Sequence, residues 1–114
     1  MKTAHFIKPD ITTSQDLSAA ALSYTTTIRR KFKLEQILFH ASVPITETIT
    51  ITLDSAKGAN YDVVLRKKSL NAEQDFVFQP EGEINFQAND ELKIQCTNAN
   101  ATGVLYVSIR TSEM

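Results

Sequence analysis

TETITITLDS, residues 46–55, alternates threonine with isoleucine and leucine more regularly than any other part of the chain. Thr46, Thr48, Thr50 and Thr52 fall on one side of an extended segment, and Ile49, Ile51 and Leu53 on the other. Period two marks a strand with one face on a core and the other turned away from it. The stretch therefore decides the fold class and leaves a second question, which is what the threonine row faces.

The same period recurs on either side of it. Upstream, Tyr24, Thr26, Ile28, Arg30 and Phe32 share one side of a first strand, with Arg29, Lys31 and Lys33 on the other. LEQILFHAS, 34–42, is a more apolar second strand, closed by Pro44. Downstream, DSAKGAN has loop chemistry, with Gly58 free to take positive φ. YDVVLRKK (61–68) is a fourth strand, and DFVFQ (75–79) and EINFQ (83–87) flank Pro80-Glu81-Gly82, which predicts a hairpin over 75–87. ELKIQCT aligns Leu92, Ile94 and Cys96, and VLYVSIRT aligns Leu105, Val107 and Ile109 beyond the polar loop NANATG. Asn100-Ala101-Thr102 in that loop matches a glycosylation sequon, but it is read as loop chemistry.

Eight short strands separated by turn signals predict an all-β, eight-stranded antiparallel sandwich over residues 21–114. Residues 1–20 differ: they are small and polar, with Phe6, Ile7 and Ile11 as isolated apolar anchors, and Pro9 bars a helix there. Asp16 before LSAAAL could cap a helix, but the run is too short to hold one alone. The segment is read as an extended N-terminal arm, ordered only where it touches something, with a disordered terminus as the alternative. Eight strands with such an arm favour a jelly roll; an immunoglobulin-like sandwich is the alternative, without its tryptophan and cysteine pair.

At 114 residues, 42% hydrophobic and 22% charged, the chain is one domain able to bury a core without staples. Its single cysteine, Cys96, forms no internal disulfide, and its phase with Leu92 and Ile94 makes it a small core residue. MKTAHFIKPD has no apolar run behind its lysine, and no segment approaches a bilayer span, so neither a secretory signal nor a membrane is expected. The net charge of −1 hides a step: residues 1–70 carry ten Lys/Arg against six Asp/Glu, and 71–114 two against seven.

Chemistry-bearing residues are scattered. His5, His40 and Cys96 lack the spacing of a zinc site, and His40 is read as a strand-end side chain with its tip in water. Asp54, Asp62 and Asp90 flank loops, where turn hydrogen bonds favour aspartate, and no dense cluster points to calcium. The basic clusters Arg29–Lys33 and Arg66–Lys68 are read as solvated strand edges rather than a nucleic-acid groove. No enzyme activity, cofactor or metal is expected.

ITETITITLDSAKGANYDVVL together with DFVFQPEGEINFQANDELKIQCTNANATGVLYVSI resembles the small all-β virion proteins of tailed bacteriophages, head decoration or cement proteins among them. The likeness lies in the Thr/Ile strand, L-D-S-A-x-G-x-x-Y-D, the P-E-x-E turn, N-D-E-L-K-I and the asparagine-rich loop, over about residues 45–110. The resemblance implies a jelly roll that self-associates as a dimer or trimer and bridges coat subunits, with the major capsid protein as partner. The protein would be made in the host bacterial cytoplasm and reside in the virion. Phe6, Ile7 and Ile11 would anchor the arm on the coat, and Thr48, Thr50 and Thr52 would meet a neighbouring subunit. A carbohydrate- or receptor-binding module of a tail or fibre is the alternative, though no tryptophan and three tyrosines make a thin supply of aromatic platforms.

Overall fold

The computed structural model describes residues 8–27, 31–100 and 102–113. Nine strands follow in order: β1 (Lys8–Asp16), β2 (Leu22–Thr27), β3 (Phe32–Ile45), β4 (Thr48–Asp54), β5 (Val63–Ser69), β6 (Glu73–Phe78), β7 (Asn85–Phe86), β8 (Glu91–Cys96) and β9 (Val104–Glu113). The front sheet has the order β1-β9-β3-β6, with β7 also on β3, and the back sheet β2-β8-β4-β5. All pairings are antiparallel.

The pairings are nested. β4 pairs β5, β3 pairs β6, β2 pairs β8, and β1 pairs β9; β9·β3 and β8·β4 then join the ribbons into two sheets. This is jelly-roll connectivity, in agreement with the expected all-β sandwich.

Alternation along the strands builds the core. Ile49 and Ile51 of β4 are wholly buried, and they meet Leu92, Ile94 and Cys96 from β8. Ile37 and Phe39 of β3 and Leu105, Val107 and Ile109 of β9 supply the facing layer. Each such side chain contributes about 1.5–3 kcal/mol on leaving water.

The ninth strand lies within the segment read as an arm. β1 runs along β9 with Ile11 opposite Ile109 and Asp16 opposite Val104. Its inward residues after Ile11 are Thr13 and Gln15, so alternation in polarity does not announce it. Beyond it Asp16 caps a tight turn instead of a helix: its carboxylate accepts the Ser18 N–H at 3.0 Å and hydroxyl at 2.6 Å, while Leu17 is buried.

Three other expectations need correction. The strand expected to run from Tyr24 through Phe32 is divided, because β2 belongs to the back sheet and Phe32 opens β3 in the front sheet. Phe32 is fixed there by stacking on Phe86, with ring centroids 4.5 Å apart. Pro44 does not close the second strand: β3 continues through it to Ile45. Pro44 lies past Ala41, the last partner of β9, and inside a register shift against β6, so its missing N–H is not called on. The hairpin over 75–87 does not form either. β6 and β7 both run along β3, with Phe78 opposite Ile37 and Asn85 opposite Lys33, and the intervening residues loop out of one interrupted edge.

Candidate interaction surfaces

The threonine row of β4 lies on the outer face of the back sheet, half-buried among its neighbours. Thr50 sits between Gln95 of β8 and Lys67 of β5, and Gln95 is opposite Ser23 of β2. Thr52 sits between Lys93 and Val64, with Thr25 beyond Lys93. The Lys93 ammonium is drawn to Asp54 at 3.3 Å, and Glu91 accepts the Thr27 hydroxyl at 2.9 Å. The centre of this face is thus a set of hydroxyls and one amide with the Lys93 and Lys67 side chains and Val64 among them.

At each end of β4 a buried carboxylate binds loops together. Glu47, 4% exposed, accepts the Thr97 hydroxyl at 2.7 Å and the backbone N–H groups of Ala99 at 3.0 Å and Asn100 at 2.6 Å. Thr97 Oγ1 in turn accepts the Thr48 N–H at 3.0 Å. At the opposite end Asp90, 5% exposed, accepts the N–H of Ala56 and of Gln87, each at 2.9 Å. Buried carboxylates are tolerated when their lone pairs are met in this way. Asp90 makes the turn hydrogen bond expected of a loop-flanking aspartate, whereas Glu47 was not singled out in the sequence. The signal for Glu47 was its odd-numbered phase, shared with Ile49 and Ile51, which points a carboxylate at the core.

The outer face of the front sheet carries an exposed aromatic, Tyr106. Ser14, Tyr106, His40 and Asp75 lie in one row across β1, β9, β3 and β6. The Tyr106 and His40 rings stack with centroids 6.4 Å apart, and His40 Nδ1 meets Asp75 Oδ1 at 2.7 Å. A shallow hollow beside Tyr106 is lined by Thr12, Ser14 and Ser108. His40 is exposed, as expected, but it sits within a strand rather than at its end.

The other sequence candidates do not converge with the threonines. Phe6 and Ile7 lie outside the described residues. Ile11 is half-buried in β1 and packs on the core of its own chain, so the apolar surface it covers is internal. Cys96 is buried, and burial, with the Glu47 carboxylate adding to it, pushes its thiol up to about 12. Among the described residues no group of three or more His, Cys, Asp and Glu stands where it could hold a metal ion, and no helix is long and apolar enough to cross a membrane.

The connectivity and these surfaces define a jelly-roll sandwich. No family model and no curated protein matches the chain. Among solved structures it is similar to the Drosophila NLP core, in a study concerned with pentamer formation and histone binding, at 13% identity and a TM-score of 0.47, covering 96% of this chain and 98% of that one. It is also similar to a chain in the structure of infectious bursal disease virus, Gt strain, at 15% identity and a TM-score of 0.46, and to one from the Gx strain at 14% and 0.39. In both viral cases the match covers 96% of this chain but only 31% and 37% of the other. At these values the fold assignment rests on the strand order itself.

Proposed function

We propose that this protein is a non-enzymatic structural component of a tailed-phage virion that decorates the capsid by self-associating and bridging coat subunits. The observation that carries the reading is the outer face of the back sheet, where Thr48, Thr50 and Thr52 stand among Ser23, Thr25 and Gln95. Threonine side chains are short and stiff at χ1, so this row loses little rotamer entropy when a neighbour covers it, and Lys93 and Lys67 at its margin add charge that a partner must meet. Binding across coat boundaries stabilises the assembled shell over its parts by mass action. The resemblance in residues 45–110 supports the same reading.

The test is incubation of the purified protein with emptied capsids, followed by measurement of bound copies per coat subunit. Saturable binding at a symmetric ratio, lost in the triple variant Thr48→Lys, Thr50→Lys, Thr52→Lys while the fold is kept, is the expected result. Undiminished binding by the triple variant removes the threonine face from the proposal, and no capsid binding at all removes decoration.

One observation favours a second reading, a glycan-binding module. The Tyr106–His40 stack beside the hydroxyls of Thr12, Ser14 and Ser108 offers an aromatic ring with polar groups around it, the usual composition of a sugar platform. Glycan binding lost in Tyr106→Ala, in the absence of capsid binding, would select this reading.

A further inference from the structure

The charge step in the sequence has a definite place in the fold. It falls between Leu70 and Asn71, and these residues form the turn by which the chain leaves β5 in the back sheet and enters β6 in the front sheet. The turn is fixed: Leu70 is buried and donates its N–H to Glu47 O at 2.8 Å, and Ala72 donates to Thr46 Oγ1 at 3.0 Å. Among the described residues β5 and β6 are the edges of their sheets on this flank. β5, with Arg66, Lys67 and Lys68, therefore neighbours β6 and the loop after it, with Glu73, Asp75 and Glu81; Lys67 lies on the outer face of the back sheet opposite Thr50, and Asp75 on the outer face of the front sheet, where it meets His40 at 2.7 Å.

The same flank exposes apolar surface. Tyr61 is 62% exposed, Val63 51%, Val64 58% and Val77 48%. Between β5 and β6 runs a cleft of about 450 Å³ lined by Leu65, Phe76, Phe78 and Ile84, among others. Arg66 and Lys68 reach over the Phe76 ring, at 5.8 and 5.9 Å from its centroid. On the opposite flank β2 carries no charged residue, and β1 beside it carries Lys8, Asp10 and Asp16, so the two strands there are not of opposite sign.

We infer that this flank is a self-complementary interface through which two copies of the chain form a two-fold dimer, β5 of each copy against β6 of the other. An isologous contact needs a patch that complements itself when rotated by a half turn. A two-fold axis lying along the strands on this flank does so, setting the basic strand of one copy on the acidic strand of the other, twice. The directions agree as well. The 70–72 turn reverses the chain between β5 and β6, so β5 meets the second copy's β6 antiparallel. Cations on an edge strand ordinarily keep it single. Here they forbid β5 against β5 and favour β5 against β6, so the charges select one pairing out of two.

The inference deepens the self-association in the proposed function without resting on capsid attachment, and the two fail in different assays. A seven-residue strand is about 23 Å long and the sheets lie about 10 Å apart, so the flank is smaller than the ~800 Å² per partner of a tight complex. The dimer should accordingly be weak and salt-sensitive.

The experiment is light scattering on the purified full chain at roughly 100 µM in low salt, against the same protein at about 0.5 M salt. The inference predicts a dimer that dissociates as salt is added. One variant, Arg66→Glu with Lys67→Glu, and another, Asp75→Lys with Glu81→Lys, should each associate at least about tenfold more weakly. Mixed together they should form a one-to-one heterodimer, because each reversal restores the other's complement. In a mixture of isotopically labelled and unlabelled wild-type protein, carbodiimide should link Lys67 to Asp75 or Glu81 between copies, a readout independent of how the variants fold. A monomer at low salt, a trimer or higher ring, a dimer without those links, or no rescue on mixing two folded variants overturns the inference.

Discussion

The carboxylate of Glu47 accepts the backbone N–H of Asn100 at 2.6 Å, joining positions 53 residues apart through a side chain only 4% exposed. With Ala99 and Thr97 on the same carboxylate, one residue closes the loop between β8 and β9 onto the start of β4. Glu47→Ala takes the shared acceptor from two backbone donors in a part-buried network, and should cost about 1–3 kcal/mol. Urea unfolding would show this as a lowered midpoint at unchanged slope. Hydrogen exchange at the Ala99 and Asn100 amides should accelerate most.

Gly103 and Gly82 should differ sharply. Gly103 has φ +89, and an added Cβ would come within 2.7 Å of both Ser42 Oγ and Val43 Cγ2. Its carbonyl also accepts the Leu17 N–H at 2.9 Å, where the end of β1 meets the start of β9. Gly103→Ala is expected to destabilise by about 1–3 kcal/mol, from positive φ and the displaced neighbours together. Gly82→Ala meets nothing within 4 Å and should leave the melting temperature unchanged or slightly raised.

Cys96 should resist thiol reagents. Its thiol is buried, and its pKa, raised from an ordinary 9.0 to about 12, leaves almost no thiolate near neutrality. Titration with a chromogenic disulfide is expected to give no reaction in the native protein up to about pH 9, and one equivalent in denaturant. Stoichiometric labelling of the native fold would contradict the burial.

Asp16 gives a pH signature. The Ser18 hydroxyl and then the Ser18 N–H hold its carboxyl below the ordinary 3.8. A depressed folded pKa contributes stability that is present above the unfolded value and lost as pH falls through the folded one. The loss should therefore set in as pH falls past the ordinary 3.8 and be complete below the depressed folded value. Ser18→Ala should bring the Asp16 pKa back toward 3.8, as read by carboxyl chemical shifts against pH.

Much of the fold was legible because burial imposes a period. Ile49 and Ile51, Leu92 and Ile94, and Val107 and Ile109 sit at alternate positions and all face the core. What the period does not carry is partnership. Phe76, Phe78, Ile84 and Phe86 have the same parity whether their segments fold on each other or lie along β3, so the hairpin expectation had no signal against it. β1 escaped because Thr13 and Gln15 occupy its inward positions, and its order comes from the edge of β9. The charge step was visible in the sequence, but only the sheet crossing at Leu70 and Asn71 puts its basic and acidic sides on the two edge strands of one flank. Tyr106, His40 and Asp75 belong to three strands far apart in sequence and meet only through register.

The nesting of the strands also has a kinetic reading. β4 and β5 close over one short loop, whereas β1 waits for β9, whose Ile109 must find Ile11 across nearly the whole chain. Closing entropy grows with each outer ribbon, so the central hairpin should nucleate and the sandwich should zip outward from it. Pulse-labelled hydrogen exchange during refolding is expected to protect Thr50 and Arg66 early and Thr12 and Ser108 last. Until that final step the β9 edge stands open, and it is there that two chains folding side by side would exchange strands.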